Sequence, residues 1–146
     1  MKIYVKGFTV IEVVVAMVIV SILAAIAYPS YVSQLRKSRR AEATTQLVSL
    51  AQAQERFFSR YRTYTSVVPA PASCAGQACG LEESSSYSEN EYYELTADGN
   101  ATSYTLTATA NGPQTEDTDC RTLSINSVGV KTATNAAGQD VIDQCW

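Results

Sequence analysis

The chain contains no histidine among its 146 residues. The side chain most often used as a general base near neutral pH, and the commonest metal ligand, is therefore missing. Glycine is scarce at seven residues, and none sits in a phosphate-cradling loop or a G-x-S-x-G nucleophile turn. There are four cysteines, Cys74, Cys79, Cys120 and Cys145, and their spacing fits no zinc site. Carboxylates are present but scattered. These absences argue against an enzyme, and no cofactor or metal is expected. Positive charge is nearly absent from residues 63–146, which carry two Lys/Arg against eleven Asp/Glu, whereas residues 1–62 carry nine against three. The acidic distal part disfavours nucleic acid as a partner.

What the sequence has is one long apolar run. Residues 1–7 are short and basic, with Lys2 and Lys6. From Phe8 to Ala27 only Thr9, Glu12 and Ser21 are polar. At about 1.5 Å per residue, such a run covers about 30 Å as a helix, one bilayer core. A secretory signal is the rival reading, with a small-residue cleavage site at Ala25-Ile26-Ala27. The run is longer than a signal core, and Glu12 lies within it. A charge at mid-membrane costs about 2.5–3.5 kcal/mol, so an intramembrane carboxylate calls for a functional partner.

Residues 30–62 lack Gly and Pro and place Leu47, Leu50, Gln54, Phe57 and Tyr61 on one stripe, flanked by Leu35, Ala43, Val48, Ala51 and Phe58. This predicts an amphipathic helix with that stripe facing a core. Phe57, Phe58, Tyr61 and Tyr64 read as core aromatics. Pro29 follows the apolar run, where it removes one helical hydrogen bond. Arg36, Lys37, Arg39 and Arg40 read as a basic face toward solvent, lipid head groups or acidic neighbours. Residues 63–91 form a connecting loop broken by Pro69 and Pro71.

Strand signals then recur over 91–97, 103–111, 120–126 and 130–134. In the second, Tyr104, Leu106, Ala108 and Ala110 alternate with threonines. An antiparallel meander of three to four strands is expected, with a turn at Asp98-Gly99-Asn100. Asp98-Gly99-Asn100-Ala101-Thr102 also fits an N-glycosylation acceptor with an acidic residue two positions before the asparagine. The hairpin turn is the simpler reading. The four cysteines allow three pairings. Cys74–Cys79 and Cys120–Cys145 are the expected ones, because each closes a local loop.

Lys6-Gly7-Phe8-Thr9-Val10-Ile11-Glu12 resembles the prepilin signature K-G-F-T-[LV]-[IL]-E of the type IV pilin family. The resemblance implies cleavage between Gly7 and Phe8 by a membrane prepilin peptidase and N-methylation of Phe8. A glycine before the cut lets the peptidase approach the bond. Glu12 becomes the fifth residue of the mature chain, pairing with the N-terminal ammonium of a neighbour. Two charges that are costly alone in lipid become tolerable as a pair. Pro29 falls where the family's helix loosens on leaving the membrane.

The implied fold is α+β. A long helix, with a membrane-spanning and assembly half over 8–29 and an amphipathic half over 30–62, packs on the antiparallel sheet. The leader is 1–7, a loop follows over 63–91, and the sheet and disulfide-closed C-terminal region occupy 92–146. The Cys145-Trp146 ending resembles several minor pilins. The implied partners are other pilin subunits, prepilin peptidase, an inner-membrane assembly platform, and the membrane before assembly. The precursor would sit in the inner membrane, leader cytoplasmic and head periplasmic, before reaching the pilus at the cell surface. Arg36–Arg40 just outside the span run against the positive-inside tendency.

The implied function is that of a structural subunit, a minor pilin, supporting adhesion, twitching motility or DNA uptake. The alternatives are a pseudopilin of a type II secretion system, marked by calcium-dependent stability, and a DNA-binding competence pilin. The latter would have to use Arg36–Arg40, Arg121 and Lys131.

Overall fold

The computed structural model describes residues 8–69, 80–81, 83 and 85–146. The chain divides after Leu35 into two compact units. Its elements are helix α1 (Val10–Tyr61), strands β1 (Tyr93–Gly99), β2 (Tyr104–Ala110), β3 (Thr122–Asn126) and β4 (Lys131–Thr134), and a final helical turn α2 (Ile142–Cys145). A 3-10 segment, Gly112–Glu116, lies between β2 and β3.

In the first unit the apolar residues from Phe8 to Tyr31 are almost uniformly solvent-facing, from Val13 at 43% to Phe8 and Val10 at 83% exposed. An 18-residue window of α1 reaches a mean hydropathy of 2.9, long and apolar enough to cross a membrane. Ser21 satisfies its hydroxyl by donating to the Met17 carbonyl at 2.8 Å. Pro29 lies inside α1. Its missing N–H leaves the Ala25 carbonyl without the usual helical partner.

The second unit holds the core. Ala43, Leu47, Leu50, Ala53, Gln54 and Phe57 of α1 are buried at steps of three and four. All but Gln54 share one cluster with Tyr93, Leu95, Tyr104, Leu106, Ala108, Ala110, Leu123, Ile125 and Ala133 from the sheet. The sheet has the order β1-β2-β3-β4, antiparallel throughout. Alternation in β2 puts its apolar residues inward and its threonines outward. Both sheet edges are partly covered, by a bridge from Tyr87 to Glu94 and by another from Asp140 to Thr134.

α1 ends through Arg62, whose φ of 59° is left-handed and whose N–H donates to the Phe58 carbonyl at 2.8 Å. Buried Gln54 then holds the exit. Its amide donates to the Thr65 carbonyl at 2.7 Å, and its carbonyl accepts from the Thr65 N–H at 3.1 Å. The glutamine on the core stripe thus satisfies a backbone that would otherwise be buried unpaired.

The strands differ from expectation at their ends. Glu91 cannot open β1, because it sits in a turn with φ 59° and its N–H bonds back to Ser88. Asp98 and Gly99 belong to β1 and not to the turn, since Gly99 still pairs with Tyr104. The turn is 100–103. Gly99 is required for closeness: a Cβ there would lie 2.5 Å from the Thr65 carbonyl oxygen.

Candidate functional site

The start of α1 carries the first constellation. Thr9 and Glu12 form a reciprocal cap. The Glu12 N–H donates to the Thr9 hydroxyl at 3.4 Å, and the Thr9 N–H donates to the Glu12 carboxylate at 3.5 Å. This is the capping-box pattern, in which two orphan N–H groups at a helix start are satisfied reciprocally. The carboxylate also sits at the positive end of the helix dipole. The Ser/Thr-x-x-Glu spacing was visible in the sequence, but the prepilin resemblance drew the reading of Glu12 to an intermolecular partner alone. Glu12, Ala16 and Val20 lie on one face with Phe8, Val13 and Met17. Gly7 lies outside the described residues.

The second constellation is buried in the head. Arg40 donates to both Asp117 carboxylate oxygens, at 2.7 Å from Nε and 2.6 Å from a terminal nitrogen. The Asp117 side chain is fully buried and that of Arg40 is 11% exposed. Gln114 continues the network, its amide donating to Asp117 at 2.9 Å and to the Tyr93 hydroxyl at 3.1 Å. Among the described residues, the Gln114 side-chain carbonyl oxygen is buried without a partner. The bonds to Asp117 raise the Arg40 pKa, against the opposing effect of burial. Burial pushes the Tyr93 hydroxyl up to about 12, with the Asp117 charge adding to it. The network joins α1, β1 and the 3-10 segment through groups that are costly to separate.

This changes the reading of the basic run. Arg40 is an interior residue. Arg39 lies over the Tyr92 ring at 4.1 Å, and among the described residues its Nε is buried and unbonded. Arg36 reaches Glu116 at 3.6 Å, and Lys37 stays exposed. Most of the expected basic face is thus committed within the head. The two distal cations are also engaged: Arg121 donates to the Thr115 carbonyl at 2.8 Å, and Lys131 lies over the Trp146 ring at 4.5 Å. Sequence reasoning missed these attachments because Arg40 and Asp117 are 77 residues apart.

At the C-terminus Cys120 is bonded to Cys145 across a separation of 25 residues. Trp146 donates its indole N–H to the Thr132 carbonyl at 2.9 Å, tying the last residue to β4. The pairing expected for Cys74 and Cys79 lies outside the described residues.

A family model described as type IV minor pilin ComP, DNA uptake sequence receptor, matches residues 29–124. The chain belongs to this family of type IV minor pilins. A second model, the prokaryotic N-terminal methylation motif, matches residues 4–28. The two matches abut at the proline and together run from residue 4 into β3. The type IV major pilin PilA of Myxococcus xanthus (strain DK1622) is 42% identical over 60 residues, 41% of this chain and 27% of that protein. The chain thus aligns with about a quarter of that relative's length. Among solved structures, a type IV pilin from Shewanella oneidensis is similar over 76% of this chain and 97% of its own, with 29% identity and a TM-score of 0.44. The Neisseria meningitidis non-core minor pilin PilV covers 73% of this chain and 93% of its own, at 21% identity and a TM-score of 0.50, a likeness of fold. A long N-terminal helix with a four-stranded antiparallel sheet is therefore a pilin fold here, and the family is one of structural subunits.

Proposed function

We infer that this minor pilin is made as a membrane-anchored precursor, cut between Gly7 and Phe8, methylated on Phe8, and built into a type IV pilus through the apolar part of α1. The observation that carries this reading is the juncture of a methylation motif over 4–28 with a minor-pilin match over 29–124 in one chain. The exposed apolar surface from Phe8 to Tyr31 supports it, since water is the wrong solvent for such a helix and either lipid or other helices would cover it. The leader would be cytoplasmic, the head periplasmic, and the partners other pilins, the prepilin peptidase and the inner-membrane platform. The pilus family supports this over a secretion pseudopilus.

Glu12 would pair with the ammonium that cleavage creates on Phe8 of a neighbour, replacing the long bond from the Thr9 N–H by a charge pair in a dry interface. Pro29 is the proposed place where α1 loosens on entry into the filament. Mass spectrometry of the mature N-terminus tests the processing. A methylated Phe8 is expected, and an N-terminus at Tyr28 would end the reading. Glu12→Ala should leave the head folded and the precursor in the membrane while reducing the subunit's content in sheared pili at least tenfold; normal incorporation would remove Glu12 from the mechanism.

A second reading is DNA uptake, favoured by the family model's own description over 29–124. Against it stands the acidic distal chain. The exposed arginines closest to a cluster are Arg56, Arg60 and Arg62 at the end of α1. If the full chain in detergent micelles binds duplex DNA through several phosphates, log affinity must fall with log salt at roughly −0.9 per phosphate contacted. An affinity that is absent or flat with salt would refute it.

A further inference from the structure

The β1–β2 turn holds a motif that assembly does not use. We propose that Asn100 is an acceptor for an N-linked glycan, transferred from a polyprenyl-diphosphate-linked oligosaccharide on the periplasmic side. This rests on the export of the head proposed above.

The chain has five asparagines, and only Asn100 is followed by the N-x-[ST] pattern, as Asn100-Ala101-Thr102, with Asp98 two positions before it. Asp98, Asn100, Ala101 and Thr102 are all exposed. The turn that carries them is anchored from beneath. The Asn100 carbonyl accepts from the Tyr64 N–H at 2.9 Å, and the Ser66 hydroxyl accepts from the Gly99 N–H at 2.9 Å. The acceptor is therefore presented outward on a fixed base.

The turn itself closes through the Asn100 side-chain oxygen, which accepts from the N–H groups of Thr102 at 2.9 Å and Ser103 at 3.0 Å. Those bonds would form with any residue at 102 and need no acid at 98. Turn chemistry accounts for the asparagine, gives the Thr102 hydroxyl one bond to it, and leaves the acid at 98 unexplained. The hydroxyl of Thr102 lies 3.2 Å from the same amide oxygen, so amide and hydroxyl are displayed side by side. The amide nitrogen donates to the exposed Ser103 hydroxyl at 3.0 Å, a bond that water can replace.

The step balances without redox change. The Asn100 Nδ2 attacks the anomeric carbon, and a C–N bond forms as the anomeric carbon–oxygen bond to the diphosphate breaks. The polyprenyl diphosphate leaves with the electron pair, and Nδ2 gives up one proton. Catalysis belongs to a separate membrane transferase that reads the acid, amide and hydroxyl together.

The test is mass spectrometry of the full chain recovered from sheared pili and membranes of its own cells. The expected result is a saccharide mass on the peptide spanning Asn100, lost completely in Asn100→Gln and Thr102→Val and kept in Thr102→Ser. Thr102→Val leaves the turn's backbone bonds intact, so its loss would not reflect misfolding. The N-terminal peptide from the same sample reads processing separately. A bare Asn100 on a chain starting at methylated Phe8 overturns the glycan and leaves the pilin reading standing. A bare Asn100 on an unprocessed chain overturns both. A saccharide mass that persists in Asn100→Gln also overturns the proposal, because it places the sugar elsewhere.

Discussion

Replacing Arg40 by methionine keeps most of its aliphatic stem and removes its charge. Asp117 is fully buried, and it would lose two bonds of 2.6 and 2.7 Å from a guanidinium. It would keep one from the Gln114 amide at 2.9 Å and a longer one from the Asp119 N–H at 3.3 Å. Removing one member of a buried pair costs about 3–5 kcal/mol. The remaining donors put Arg40→Met at the lower end, about 3 kcal/mol. Against a domain stability of about 5–15 kcal/mol this is a large fraction, and it should lower the thermal midpoint by roughly 10 °C or more. The chain's single tryptophan, Trp146, lies in the head, so urea unfolding of the full chain in detergent micelles can be followed by its fluorescence. The midpoint should fall with an unchanged slope. The double variant Arg40→Met with Asp117→Leu removes both charges and should lie closer to the parent than Arg40→Met does. A loss under about 1 kcal/mol for the single variant, or a double variant worse than the single, would refute the claim that this pair is the costly joint between α1 and the 3-10 segment.

Reduction of Cys120–Cys145 opens a loop of 25 residues and should cost ~3.5 kcal/mol by the chain-entropy relation, read as the urea midpoint with and without reductant. Raising the pH should weaken the head between about 10 and 12, because the folded Tyr93 is raised to about 12. Its contribution is complete below the unfolded value and is lost as pH climbs through the folded one, so Tyr93→Phe should flatten that part of the pH–stability curve. Gly99→Ala should destabilise by about 1–3 kcal/mol, since its Cβ meets the Thr65 backbone at 2.5 Å, whereas a Cβ at Gly129 meets nothing within 4 Å and Gly129→Ala should cost about 1 kcal/mol through its φ of 80° alone.

Periodicity carried most of what was legible in the sequence. The α1 stripe from Ala43 to Phe57 and the alternation of Tyr104, Leu106, Ala108 and Ala110 follow from side-chain period and burial, and a single sequence displays both. Distance in the chain hid the rest. Nothing near Arg40 announces Asp117, and a run of four cations reads as solvated until the fold gives Arg36, Arg39 and Arg40 a partner each and leaves Lys37 exposed. Gly99 looked like a turn glycine because Asp-Gly-Asn is turn chemistry. Its reason lies in the approach of Thr65, 34 residues earlier in the chain, which no local rule contains.

Under the proposed function, the one carboxylate of Glu12 would serve both a local cap and assembly. If the charge had no partner in the unassembled chain, the membrane would disfavour the precursor, and the precursor would be hard to store. The cap with Thr9 removes part of that cost within the chain, by giving the carboxylate a backbone donor and the field of the helix start. Yet that bond, from the Thr9 N–H, is long at 3.5 Å and so holds the carboxylate weakly. A carboxylate held weakly is one that an ammonium can recruit, since the ammonium adds a full opposite charge to the hydrogen bond. Thr9→Pro, which has no backbone N–H to donate to the carboxylate, separates the two roles. It should lower the amount of precursor held in the membrane while leaving the fraction of the remaining subunits that enter pili unchanged, whereas Glu12→Ala should lower that fraction. If Thr9→Pro and Glu12→Ala changed the two quantities in the same proportion, the cap and the assembly contact would be a single function.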